Sequence, residues 1–187
     1  MTRLKITPLA IADVKIIAGP MLHDHRGFFG ETWNRRDFAE AGIDIDFVQD
    51  NRSRCSAAGT VRGLHFQAPP FAQAKLVRVT RGRMFDVVVD LRKSSANFGR
   101  CVAVELAGDD GLQLFIPKGF AHGFCTLEAN TEIAYKVDAY YSAAHDRGIN
   151  WRDPALGIDW PIAAADAVLS QRDRTLPLLR DFATPFA

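Results

Sequence analysis

Apolar and polar positions alternate with a period of two along much of the chain. Phe85, Val87, Val89 and Leu91 are interleaved with Asp86, Val88, Asp90 and Arg92, the spacing of a β-strand. The run Lys75 to Thr80 precedes it across Arg81-Gly82-Arg83, a loop holding the glycine that a tight hairpin needs. Val102, Val104 and Leu106 alternate with Ala103 and Glu105 before the turn Gly108-Asp109-Asp110-Gly111, and Leu112 to Ile116 then runs up to Pro117. Gly123 to Leu127 and Thr131 to Val137 flank a turn at Glu128-Ala129-Asn130. Short strands at near-regular intervals predict an all-β sandwich or barrel. Helical signal is thin. Asn34 to Glu40 reads as a short helix, capped by Asn34 and stopped by Gly42. The tail from Trp151 reads as ordered loops with a short helix near Ala163 to Leu169. No repeat or linker interrupts the chain, so residues 1–187 are expected to form one domain.

Composition narrows the partners. The net charge of +1 offers no global attraction to nucleic acid or an anionic membrane, although a few placed arginines could still bind a small anion. No run of about 18 apolar residues suggests a membrane span. The segment Met1 to Ile17 is broken by Lys5, Asp13 and Lys15, unlike the apolar core of a signal peptide. Cys55, Cys101 and Cys125 are widely spaced, which argues for reduced thiols rather than a disulfide framework or structural zinc site. A soluble, cytoplasmic protein is expected.

The chemistry concentrates in Arg62-Gly63-Leu64-His65-Phe66-Gln67 and the nearby Lys75. Imidazole is a base at neutral pH, and an ammonium can hold a negative charge that develops during reaction. Together they suggest removal of a proton beside a carbonyl, provided that a second proton donor and an orienting carboxylate are present. Strict alternation places Arg62 on the face opposite His65; both serve one site only if Gly63 permits a bulge or if Arg62 serves a neighbouring subunit.

Pro117-Lys118-Gly119-Phe120-Ala121-His122 resembles the second motif of the cupin superfamily, a jelly-roll fold. In many cupins that histidine binds metal with an H-x-H pair from the first motif. Here the first motif is His65-Phe66-Gln67, so a metal site is disfavoured. The resemblance then narrows. Asp24 to Glu31, Gln49 to Ser53, the RGLHFQ run, Asp86 to Arg92, Ile116 to Phe124, Tyr135-Lys136, Tyr140-Tyr141, Gly148 to Trp151 and Ser170 to Asp173 are together similar to the dTDP-4-dehydrorhamnose 3,5-epimerase family, block after block in the same order.

The resemblance implies a cupin-type jelly roll working as a homodimer on a dTDP-linked 4-keto-6-deoxyhexose, inverting the carbons on either side of the ketone without a dissociable cofactor. It implies His65 as base, Asp173 as the acceptor orienting it, Tyr135 as proton donor on the opposite face, and Lys75 as partner of the enolate. Arg26 and Arg62 would bind phosphate. Gln49, Asn51 and Glu31 would contact the nucleotide, Tyr141 would stack on a ring, and His122 would lie near sugar or phosphate. Asp146 and Arg172 stand at contact positions where the family commonly has glutamate and lysine. Tyr135 alternates with Ile133 and Val137, so core packing with a wet hydroxyl is its rival role. The rival functions are a mono-epimerase acting at C3 or C5 alone, a sugar-nucleotide-binding cupin without turnover, and a metal-dependent oxygenase.

Overall fold

The computed structural model describes residues 4–187. Thirteen strands run in chain order: β1 (Lys5–Pro8), β2 (Lys15–Ala18), β3 (Met21–Asp24), β4 (Gly27–Gly30), β5 (Gln49–Cys55), β6 (Val61–Gln67), β7 (Lys75–Arg81), β8 (Arg83–Asp90), β9 (Cys101–Ala107), β10 (Leu112–Ile116), β11 (Phe120–Thr126), β12 (Thr131–Val137) and β13 (Asp146–Gly148). Two short α-helices, α1 (Arg35–Glu40) and α2 (Gln171–Arg174), complete the regular structure apart from two 3-10 turns. One sheet has the order β1-β2-β10-β7-β12-β5, a second has β13-β6-β11-β8-β9, and β3 and β4 form a separate hairpin.

From β5 onward the chain crosses from sheet to sheet at nearly every connection; only β8 and β9 are consecutive partners within one sheet. This is the jelly-roll arrangement, and it bears out the all-β cupin-type expectation. It also corrects a local one. The strands on either side of Gly82 exist, but they do not pair: β7 lies between β10 and β12, and β8 between β11 and β9. Gly82 has φ +76°, and a Cβ there would lie 2.5 Å from Thr131 Oγ1, so the glycine turns a corner between sheets instead of closing a hairpin.

The two sheets enclose Val77, Val79, Met84, Val88, Leu106, Leu114, Ile116 and Ile133, all buried. On the outer face of the second sheet lie Leu64, Phe66, Val87, Val89, Leu91 and Ile149, covered by tail residues including Trp160, Phe182 and Phe186. Strand β8 is therefore buried on both faces. Its apolar row Phe85, Val87 and Val89 faces the tail, while Met84, Asp86 and Val88 face the interior. The α1 segment covers part of the first sheet with Phe38 against Ile17, Leu76 and Phe115. Asn34 caps α1 by accepting hydrogen bonds from the Arg36 and Asp37 amides, as its sequence signals predict. The helix expected at Ala163 to Leu169 is instead a turn; the helical segment falls at α2, where Ser170 provides the cap. All three cysteines are free thiols. Among the described residues no helix is long and apolar enough to cross a membrane.

Candidate active site

A cavity of about 510 Å³ is lined by residues from both main sheets, within the usual range for a small-molecule site. Strand β6 contributes Arg62 and His65, β7 Lys75, β11 His122 and β12 Tyr135; the segment entering α2 adds Leu169, Ser170, Arg172 and Asp173. His65 and Tyr135 thus enter one cavity from opposite sheets.

The bulge that places Arg62 beside His65 is visible in the strand register. On β6 and β11, His65 pairs with His122 and Arg62 with Phe124. Three steps on β6 match two on β11, so β6 carries one extra residue. That residue returns Arg62 to the face that alternation denies it. Gly63 makes this possible: its φ is +127°, and an added Cβ would lie 2.6 Å from Gly123 Cα and 2.8 Å from the His122 carbonyl oxygen. Both obstacles are backbone. Gly63→Ala is therefore expected to lower stability by about 1–3 kcal/mol, which denaturant titration checks.

His65 Nε2 lies 2.5 Å from Asp173 Oδ1. With the ring proton on Nε2, the other nitrogen is free to act as a base. Asp173 is only 3% exposed. Burial works to raise its pKa, but the hydrogen bonds from His65 and Ser170 and the charge of Arg172 outweigh burial and hold the carboxyl below its ordinary value. Ser170 both accepts from the Asp173 amide at 3.1 Å and donates to Asp173 Oδ2 at 2.9 Å. The Ser-x-x-Asp capping pattern could have identified this helper from sequence.

Lys75 has no hydrogen-bond or ion-pair partner for its ammonium among the described residues. Burial pulls its pKa down to about 8, against the attraction of Asp86 and Asp146. The Tyr135 hydroxyl is likewise unpaired among the described residues. Burial chiefly pushes its pKa above the ordinary phenol value, so it remains a proton donor at neutral pH. His122 Nε2 lies 3.0 Å from Asp86 Oδ2. Burial holds this imidazole below its ordinary pKa despite the nearby carboxylate. Arg92 pairs with Asp90 at 2.7 Å and Asp13 at 2.9 Å, while Asp86 serves His122.

At the cavity rim, Arg172 forms two hydrogen bonds to Asp146, at 2.6 and 2.8 Å, and Tyr141 donates to the same carboxylate at 3.2 Å. Gln49 and Asn51 lie on β5, where Asn51 pairs with Tyr135. Gln49 donates to Asn51 at 2.8 Å and accepts from the Tyr141 amide at 3.0 Å; neither amide residue lines the cavity of His65.

Arg26 and Glu31 depart from expectation: within one chain they do not reach this cavity. Arg26 sits in the exposed turn between β3 and β4, held by Asp24 at 2.5 Å, and Glu31 lines a different depression with Leu22 and Phe29. The physical reason is that their hairpin pairs with neither main sheet. Among the described residues no group of three or more His, Cys, Asp or Glu could hold a metal ion.

Residues 8–181 match the family described as dTDP-4-dehydrorhamnose 3,5-epimerase. An enzyme of that name from Sinorhizobium fredii is 51% identical over 178 residues, covering 95% of this chain and 91% of its own. A crystal structure of the Bacillus anthracis epimerase with TDP and pyrophosphate bound superposes with a TM-score of 0.91 at 47% identity, covering 94% of this chain and 99% of that one. The Legionella pneumophila epimerase in complex with dTDP-4-keto-L-rhamnose gives a TM-score of 0.92 at 42% identity, covering 96% of this chain and 95% of that one. With these likenesses running across the same strands that build the cavity, the chain belongs to the dTDP-4-dehydrorhamnose 3,5-epimerase family.

Proposed function

We propose that this protein epimerises a dTDP-linked 4-keto-6-deoxyhexose at C3 and C5, converting dTDP-4-dehydro-6-deoxy-D-glucose to dTDP-4-dehydro-L-rhamnose. The observation that carries the reading is one cavity holding an Asp173-oriented imidazole on one sheet and a phenol on the other, with a lysine ammonium in the same space. C3 and C5 both flank the C4 ketone, so one charge acceptor serves both centres. His65 takes the proton as the C–H bond breaks, and the electron pair moves onto the ketone oxygen. Lys75 stabilises that enolate. Tyr135 returns a proton from the opposite face, and solvent restores the protonation states of Tyr135 and His65. Arg62 and Arg172 supply positive charge for the diphosphate, while Tyr141, exposed at the rim, offers a ring face to the base.

The test is proton NMR of product formed in deuterated buffer. Label at both C3 and C5 is expected. Label at one centre alone would make the protein a mono-epimerase, and binding without label would make it a sugar-nucleotide-binding cupin.

The reading has a pH signature. Lys75 must be charged to hold the enolate, and its pKa is about 8. Raising pH through that value removes the ammonium, so kcat/KM is expected to fall above about pH 8. Tyr135 does not set this limb, because its pKa is raised above the ordinary phenol value. A pH–rate profile that stays flat to about pH 10 would contradict the role given to Lys75.

A homodimer is part of the same reading. The β3–β4 hairpin presents Leu22, Phe28 and Phe29 at 64%, 58% and 70% exposure, apolar side chains that a second copy would cover. In such a pair Arg26 and Glu31 act in the partner's cavity. Mixing Arg26→Ala chains with His65→Asn chains is then expected to restore activity, because each mixed dimer regains one complete site. No recovery after verified subunit exchange would place Arg26 outside the partner's cavity.

A further inference from the structure

The chemistry above gives Asp86 no task beyond its bond to His122, yet it is a fully buried carboxylate. It is 0% exposed, in the interior row of β8 between Met84 and Val88. Removing a carboxylate from water costs several kcal/mol unless it is well paired. Its pairing is incomplete: His122 Nε2 bonds to Oδ2 at 3.0 Å, whereas Oδ1, although 2.9 Å from the same nitrogen, has no hydrogen-bond partner among the described residues. A neutral amide could accept one imidazole N–H without the cost of a buried charge. A carboxylate here implies a use for the charge itself.

Lys75 supplies that use. The groups acting on it or sharing its cavity are His65 and Arg62 from β6, His122 from β11, Tyr135 from β12, Asp86 from β8, Asp146 from β13, and Arg172 and Asp173 from α2. Asp146 is already bonded twice to Arg172, and Asp173 is bonded to His65. Asp86 is the remaining carboxylate, and it attracts Lys75 more strongly than Asp146 does. We propose that Asp86 is a positioning residue of the epimerisation, acting as the fixed counter-charge for Lys75 and as the anchor of the His122 ring. The proposal rests on the epimerase reading and on the role of Lys75 within it.

Asp86→Asn preserves size and still offers an oxygen to His122, but removes the charge. The alkaline fall in rate is expected to move down by about one pH unit, so the ratio of rates at about pH 9 and about pH 6 drops roughly tenfold relative to the unaltered chain. An unmoved alkaline limb overturns the proposal, however much the overall rate falls. A second measurement needs no turnover. In a cycle of melting temperatures with Asp86→Asn, Lys75→Met and both together, the double variant should melt higher than the summed single shifts predict. Additive shifts overturn the proposal. If Asp86→Asn alone does not fold, the double variant should, and its failure to fold has the same force. Absence of deuterium exchange in the unaltered chain would condemn the epimerase reading while leaving the melting cycle to judge Asp86.

Discussion

His65→Asn is expected to lower kcat for epimerisation by about 10²–10⁴-fold while leaving dTDP affinity within a few-fold of its original value. The geometry argues for both halves. His65 is the cavity's imidazole held by a carboxylate from α2, with Nε2 at 2.5 Å from Asp173 Oδ1. The amide has nearly the width of the ring but no basic nitrogen, so proton abstraction falls to water. The positive side chains assigned to the diphosphate, Arg62 and Arg172, keep their places. Steady-state kinetics beside calorimetry separates the effects. A loss confined to KM would show that His65 binds substrate and does not act as its base. Deuterium exchange into the substrate should fall in parallel with turnover, because the same step controls both.

Tyr135→Phe is expected to split these two readouts. The ring remains against the interior cluster that includes Ile133, but the hydroxyl that returns a proton is gone. Inversion should fall by about 10²–10⁴-fold. His65 can still remove a proton and return deuterium to the face it came from, so label should enter substrate of unchanged configuration faster than product forms. Mass spectrometry of recovered substrate, compared with product yield, checks this. Equal loss of exchange and inversion would mean that the phenol is needed before the enolate forms. Full retention of inversion would return Tyr135 to the core-packing role that its alternation with Ile133 and Val137 also allows.

Strand positions were legible because a pleated strand shows period-two patterning between turn residues, and β8 to β12 fall close to where alternation and turn signals place them. The sheet to which each strand belongs was not legible. Gly82 has the local chemistry of a hairpin turn, but whether two strands leaving such a turn pair or diverge is decided by distant partners, here β10, β11 and β12. Alternation on β8 also marked Asp86 as polar without showing that its face is the interior. The site shows a similar divide. His65, Lys75, Tyr135, His122, Arg62, Arg172 and Asp173 converge, although Asp173 lies 108 residues from His65, a distance that the ordered family blocks bridged and periodicity could not. Gly63 was legible as a question, since alternation and a shared site disagreed; only the register answered it. Arg26 sits on a hairpin independent of both main sheets and Glu31 directly follows it, so the sequence motif that names them carries no information about whose cavity they enter.

The crossing of the chain between sheets has a kinetic consequence. Each wall of the cavity is borrowed from a strand whose neighbours are remote along the polypeptide, so no contiguous fragment can assemble a working catalyst. Chain closure over such separations makes renaturation slow relative to helical proteins of similar size. Regain of turnover after dilution from denaturant should therefore lag any early hydrophobic collapse and coincide with the final cooperative phase.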